Sequence, residues 1–374
     1  MRRIIASTGL AFFVALAGAG LTTTAGATAR GAAATGAPKQ QAAPAAPDIT
    51  VSPGESIQSA VNHAHPGDVI YVKPGVYHES VAVKKNRLSI LGSGASGAGT
   101  VLRPPTTPQR RCLHGAAGFC IFGHKTSGGL MHVKHVNVSG FLVRGFEAFG
   151  VVTFAANDTM VRHVRASHDG EYGITSFHSH ASRFLYNTTD SNGEAGLYFG
   201  DSPRADAGIV GNRSFANNIG ILLRDSATGH LRDNAAFQNC AGVVIVDTGA
   251  PTRPHDYHLK RNQVFHNDRF CKGEKEGPPP LSGTGIAVLG GKDNVLRRNT
   301  VWANRPSKAA AAFPGGIVIG SSKALGGSNA AGNHVVRNQA YRNKPADIVW
   351  DGKGQGNKFR HNKCSASMPS GLCH

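Results

Sequence analysis

The 17-residue stretch SHDGEYGITSFHSHASR (167–183) holds His168, Asp169, Glu171, Tyr172, His178, His180 and Arg183. Histidines, carboxylates and a phenol at that density are the groups that move protons to and from a substrate. His168 and Asp169 precede the apolar run and His178 follows it, so a groove between them would bring two groups onto one sugar unit. His178, Tyr172 and His168 are the candidate bases. The alternative is a solvated edge with no chemistry.

A second pattern extends the first. Five residues after Gly150, Gly173, Gly196, Gly220 and Gly242 stand Ala155, His178, Asp201, Asp225 and Asp247, followed by Ala156, Ser179, Ser202, Ser226 and Thr248. Carboxylates stacked on neighbouring strands repel unless a cation or the turn compensates them. One solution is a set of Asx turns. The other is a polar groove floor, with Asp201 beside His178 as a catalytic candidate, Asp225 and Asp247 as substrate ligands, and oxygen donors suited to Ca²⁺. Arg183, Arg204 and Arg224 are the nearby cations for an acidic substrate. Histidine is abundant, at 18 residues, but HSH, HAH and HDYH are scattered, so no dedicated transition-metal site and no other cofactor are expected.

These groups need a scaffold that repeats. The five glycines open short apolar runs (GVVTF, GITSF, GLYFG, GILLR, GVVIV), and GIAVL and GIVIG follow at Gly285 and Gly316. Seven Asn-bounded hexamers accompany them: NTTDSN, NRSFAN, NAAFQN, NQVFHN, NTVWAN, NQAYRN and NKFRHN. Short β-rich units of about two dozen residues predict an all-β solenoid, one parallel β-helix coil per unit. The asparagines are expected to occupy left-handed turn positions and to form an amide ladder along the axis. Phe215, Phe237, Phe265, Trp302 and Tyr341, fourth in their hexamers, should stack, pointing inward. Longer coils place the segments 268–283 and 305–315 as loops at one corner. The same register pairs Cys240 with Cys271. Cys112 with Cys120 and Cys364 with Cys373 close local loops.

Ahead of the coils, ESIQSAVNHA (55–64) has helical periodicity and GDVIYVKPGVYHESVAVKK has strand alternation, as a capping helix and first coil require. Together with the Asn-punctuated coils this resembles the right-handed parallel β-helix (pectin-lyase-like) superfamily, including NosD-type proteins with parallel β-helix repeats, over residues 48–364. The resemblance implies a single-stranded right-handed solenoid with a short N-terminal capping helix. It also leaves function open, because the superfamily hosts lyases, hydrolases, epimerases and non-enzymatic proteins. EYGITSFHSH is faintly similar to the Tyr-Gly-hydrophobe-Asp-Pro-His motif of mannuronan C5-epimerases. Tyr172, Gly173 and Ile174 match, but Thr175 and Ser176 replace Asp-Pro and His178 is displaced by one. The paired-Asp, Gly-His-Gly and Arg-x-Lys motifs of polygalacturonases are missing.

Residues 1–29, with Arg2, Arg3 and the run GLAFFVALAGAGL, read as a secretory signal, and 30–47 as an Ala/Pro-rich flexible leader before a β-helix domain over 48–374. A secreted, extracellular, monomeric protein without membrane insertion is expected. With 40 Lys and Arg against 22 Asp and Glu, the formal charge of +18 favours an anionic neighbour. An acidic polysaccharide or cell-wall polymer is expected rather than a specific nucleic acid. The sequence therefore predicts binding, and lyase or epimerase-type modification, of an acidic polysaccharide. The alternative is a non-catalytic surface or polysaccharide-binding solenoid.

Overall fold

The computed structural model describes residues 47–107, 109–127, 129–274 and 277–373. The signal and leader segments expected before Pro47 lie outside them. The chain winds through three parallel sheets of 12, 10 and 11 strands, here sheets 1, 2 and 3. One coil runs Arg183–Leu185 in sheet 1, Thr188–Asp190 in sheet 2, Ala195–Ser202 in sheet 3, then returns to sheet 1 at Ala207–Val210. Each strand pairs in parallel with its equivalent one coil later, as Ile174 with Leu197, Leu197 with Ile221 and Ile221 with Val243. The all-β solenoid expected from the repeat is thus the observed fold. The core is filled by columns of the inward residues, among them Ile174, Leu197, Ile221, Val243, Ile286 and Ile317.

The helix Ile57–His63 caps the first coil. Its N-terminus is satisfied by Ser56 and by the Glu79 carboxylate, which accepts bonds from the N–H groups of Ile57 (2.7 Å) and Gln58 (3.1 Å). A carboxylate at the positive end of a helix also meets a favourable field.

The asparagine ladders exist, although the backbone reason expected for them is wrong. The left-handed residue is the one before each asparagine: Tyr186, Asp233, Arg261, Arg298, Arg337 and His361 have φ of 54° to 59°. The asparagines themselves are buried and carry the bonds. Asn234 Oδ1 accepts the Asn212 backbone N–H at 3.0 Å and its side-chain N–H at 2.9 Å, while Asn234 Nδ2 donates to Ile209 O at 2.9 Å. Any side chain fits the outward left-handed corner at a modest cost, but only Asn supplies both an acceptor and a donor inside. A second ladder joins sheets 2 and 3 from Asn192 to Asn343 and ends on Asp347, whose Oδ1 accepts two bonds from Asn343. The coil glycines lie under this ladder. A Cβ on Gly196 would stand 2.1 Å from Ser214 Oγ and 2.8 Å from Asn217 Nδ2.

The aromatic column Phe215, Phe237, Phe265, Trp302 and Tyr341 stacks at centroid distances of 5.1, 5.0, 4.2 and 6.0 Å. It faces outward, contrary to expectation, because strand alternation gives the inside to the third residue of each hexamer, Ser214, Ala236, Val264, Val301 and Ala340. The disulfides Cys112–Cys120, Cys240–Cys271 and Cys364–Cys373 form as the register required. Three such bonds fit an oxidising, extracytoplasmic setting.

Candidate functional site

The outer face of sheet 3 is more apolar and aromatic than a solvent face should be. Tyr172, Tyr198, Leu222, Val244, Ala287 and Val318 project from it and form a second cluster outside the coil core. Toward the C-terminal coils that face is covered by the two long loops, through Leu281 and Phe313, with the Cys240–Cys271 bridge pinning the first. Rather than standing off the edge, the loops fold back onto the sheet. Pro280 O accepts the Ala312 N–H at 2.8 Å, and Ser282 and Ser307 bond each other, so the loops support one another.

Beyond the loops, on the coils around residues 149–226, lies the candidate site. Tyr172 stacks between Phe149, at 5.7 Å, and Tyr198, at 4.5 Å. The Arg224 guanidinium sits over the Tyr198 ring, 5.5 Å from its centroid, while its Nε approaches Asp225 Oδ2 at 3.8 Å. Burial raises both phenols above their ordinary range, and the nearby Arg224 charge opposes that rise. Both therefore hold their protons at neutral pH. The Tyr172 hydroxyl has a hydrogen-bond partner in the Glu194 carboxylate. Tyr198 is fully buried, and neither its hydroxyl nor Arg224 Nε has a partner within the described protein. Buried polar atoms left open in this way are where a ligand's polar groups would be satisfied.

Three glutamates approach the entry to these strands. Glu171 and Glu194 stand at equivalent positions of adjacent coils, because the Glu194 N–H bonds Glu171 O at 2.7 Å, and Glu147 lies on the coil before. Desolvation first, and then the charges of Glu194 and Glu147, raise Glu171 from its ordinary 4.5 to about 7. A carboxyl poised at neutrality is suited to taking or giving a proton. The coils approach closely here. A Cβ on Gly193 would lie 1.9 Å from Gly170 O. DGEYG (169–173) and NGEAG (192–196) are thus one motif repeated, whose glycine permits the contact and whose glutamate faces the site. That repeat was visible in the sequence and marks Glu194, which the residue-by-residue search passed over. Tyr198 carried no comparable signal.

The other sequence candidates are distributed more widely than expected. His168 and His178 stand before and after the six-residue strand Tyr172–Phe177. Such a strand spans about 17 Å, too far for both to meet one sugar ring. His168 is bonded to Ser167 Oγ at 2.7 Å, and the exposed His178 packs edge-on against Phe154 at 5.3 Å. Asp169 is a ladder member in place of Asn: its backbone N–H bonds Asn192 Oδ1, its Oδ1 accepts from Phe146, and burial pushes its carboxyl well above the ordinary range. Arg183 projects from sheet 1 and pairs with Asp206 at 3.3 Å, off the sheet 3 face. His180 bonds Arg204 O at 2.7 Å, and Arg204 is exposed in the following turn.

Ala155, His178, Asp201 and Asp225 do line one corner, all with φ of 45° to 50°. The serine after each makes the inter-coil bond, as Ser179 N–H to Ser202 Oγ at 3.1 Å. Asp247 bonds its own turn through the Gly249 N–H (3.0 Å), an Asx turn. Buried Asp225 accepts both Thr248 N–H and Thr248 Oγ1–H, so it ties two coils. Asp201 is half-buried, and its charge acts on Tyr198 and Arg224. Among the described residues no group of three or more His, Cys, Asp or Glu side chains is arranged to hold a metal ion.

The fold is similar to that of the periplasmic alginate epimerase AlgG, with a TM-score of 0.51 and 15% identity over 85% of this chain and 84% of that one. It is also similar to the A-module of the Azotobacter vinelandii mannuronan C-5 epimerase AlgE4 (TM-score 0.51, 14% identity, 84% and 95% covered). DFA-IIIase from Arthrobacter chlorophenolicus A6 without its lid gives a TM-score of 0.52 at 14% identity over 79% and 84%. At these identities the likeness is one of fold. A search of curated protein sequences finds no match. Residues 115–264 match the family described as the right handed beta helix region, and with the three stacked parallel sheets this makes the chain a right-handed parallel β-helix protein.

Proposed function

We propose that the outer face of sheet 3 binds an acidic extracellular polysaccharide and modifies it by removing the proton at C5 of a uronic-acid unit. The observation that carries this is the grouping of one carboxyl poised near pH 7, two protonated phenols and one guanidinium on a single aromatic-lined face. C5 abstraction needs a base, a cation for the uronate carboxylate as it becomes enolate-like, and a proton donor. Glu171 is the base and Arg224 the cation. Tyr172, held by Glu194, is the donor. Protonation of the leaving O4 completes an elimination, whereas return of a proton to the other face of C5 completes an epimerisation.

The charge of +18 supports an anionic substrate, as do the names of the two similarly folded epimerases, which act on alginate and mannuronan. The protein is proposed to be secreted to meet such a polymer. A non-catalytic binding role is favoured by one feature: Thr175, where the epimerase motif has its aspartate, is fully buried with its hydroxyl unpartnered.

Incubation with alginate, pectate and glycosaminoglycans tests the proposal. Ultraviolet-absorbing unsaturated product or changed uronate stereochemistry is expected from at least one, lost in Glu171→Gln. Binding without either change on any of the three leaves the non-catalytic role standing and overturns the enzymatic one.

A further inference from the structure

The corner between sheets 1 and 2 belongs to a different surface, and its chemistry is one-sided. The strands Gly229–Arg232, Tyr257–Lys260, Val295–Arg297, His334–Val336 and Lys358–Arg360 pair in succession. Their last residues form a column of Arg232, Lys260, Arg297, Val336 and Arg360. The left-handed residues that follow form a second column of Asp233, Arg261, Arg298, Arg337 and His361, at φ of 55° to 59°. A left-handed corner turns its side chain outward, and all five are exposed.

One carboxylate stands among them, Asp233, and it is engaged by Arg261 Nε and Nη2 at 2.7 Å each. The acids Asp256 and Asp293 of the same coils lie before these strands, at their opposite ends. No ion pair among the described residues holds Arg232, Arg297, Arg298, Arg337 or Arg360. At the last coils the ridge borders a pocket of ≈ 390 Å³ lined by Arg337, Asn338, Gln339, His361 and Lys363. Cations repeated at the strand spacing of about 4.8 Å repel one another and cost stability unless an anion neutralises them. A charge distribution of this kind attracts a polyanion laid along the solenoid axis.

We infer that this ridge is a docking surface for a linear polyuronate, remote from the sheet 3 site. In a polyuronate one carboxylate recurs per sugar ring, and one ring is about as long as one coil is tall, so successive carboxylates meet successive coils. A nucleic-acid strand, with a phosphate about every 3.4 Å along its axis, falls out of step with the same columns. The inference rests on the proposed function for the ligand's chemical class and on nothing else in it. A second, non-reacting contact would hold a long chain while sheet 3 acts on part of it.

The test compares wild type with Arg298→Ser/Arg337→Ser, and with Arg297→Gln/Arg360→Gln as an independent pair on the strands. Binding of long polymannuronate and polygalacturonate is measured over a range of salt concentrations, and turnover is measured on oligomers too short to reach the ridge. Each double variant is expected to lose about tenfold or more in long-chain affinity and to flatten the slope of log K against log salt by nearly two. Short-oligomer turnover stays unchanged. Unaltered affinity and slope in both variants overturn the inference, and single-stranded DNA of matched charge displacing the polyuronate overturns its ligand class. If wild type turns over nothing yet these losses appear, the ridge stands and the sheet 3 proposal fails.

Discussion

Replacing Glu171 with Gln separates a proton-transfer group from an ordinary surface acid. Glu171 rises from 4.5 to about 7 because burial and the charges of Glu194 and Glu147 disfavour its ionised form. Between those two values the folded state keeps a proton that the unfolded chain has lost. Stability therefore falls as pH rises through that window, and the penalty is complete above pH 7. Taken at face value the shift is worth about 3 kcal/mol, but the side chain is only half-buried, and solvent screening brings the expected figure to about 1–2 kcal/mol. Gln carries no charge, so Glu171→Gln should raise unfolding free energy by that amount at pH 8 and by much less at pH 5. Urea denaturation at the two pH values measures it. In wild type, kcat/KM on the responsive polymer should climb through pH 7 and level off, and the Gln variant should lose about 10²-fold or more. A stability gain equal at both pH values, or none at pH 8, would refute the charge repulsion on which the assignment of Glu171 rests.

Arg224→Gln should raise KM and lower kcat/KM on a uronate polymer by about tenfold or more while leaving the melting transition nearly in place, because the lost contacts are to substrate and to the Tyr198 ring face. Asn262→Ala removes the acceptor of both Asn234 donors and the donor to Leu231 O, all buried, so chemical denaturation should show a loss of about 2–4 kcal/mol. Asp247→Asn keeps its turn bond and should cost less than about 1 kcal/mol, whereas Asp225→Asn strands Thr248 and should cost more. The double serine variant of Cys240 and Cys271, 31 residues apart, should lose about 3–4 kcal/mol on the loop-entropy account and free the loop over the sheet 3 face, seen as faster proteolysis between 268 and 283.

Residue order alone determined the repeat, the coil registers and the disulfide pairs, since in a solenoid neighbours in space are one period apart in the chain and local spacing becomes three-dimensional contact. Asp201, Asp225 and Asp247 could be aligned on paper for that reason. What spacing does not encode is which way a residue faces once the backbone leaves the regular strand. The left-handed residue before each Asn shifts the phase, which turned the Phe215 to Tyr341 column outward and put Asp169 inside the ladder. Direction also separated His168 from His178 by a full strand and carried Arg183 around onto sheet 1. The site at Glu171, Glu194, Tyr198 and Arg224 depended on the two inserted loops folding back over sheet 3, and on how deeply each side chain was buried beneath its neighbours. Desolvation is set by atoms from several coils and loops at once, so only the assembled solenoid decided which carboxyl titrates near neutrality.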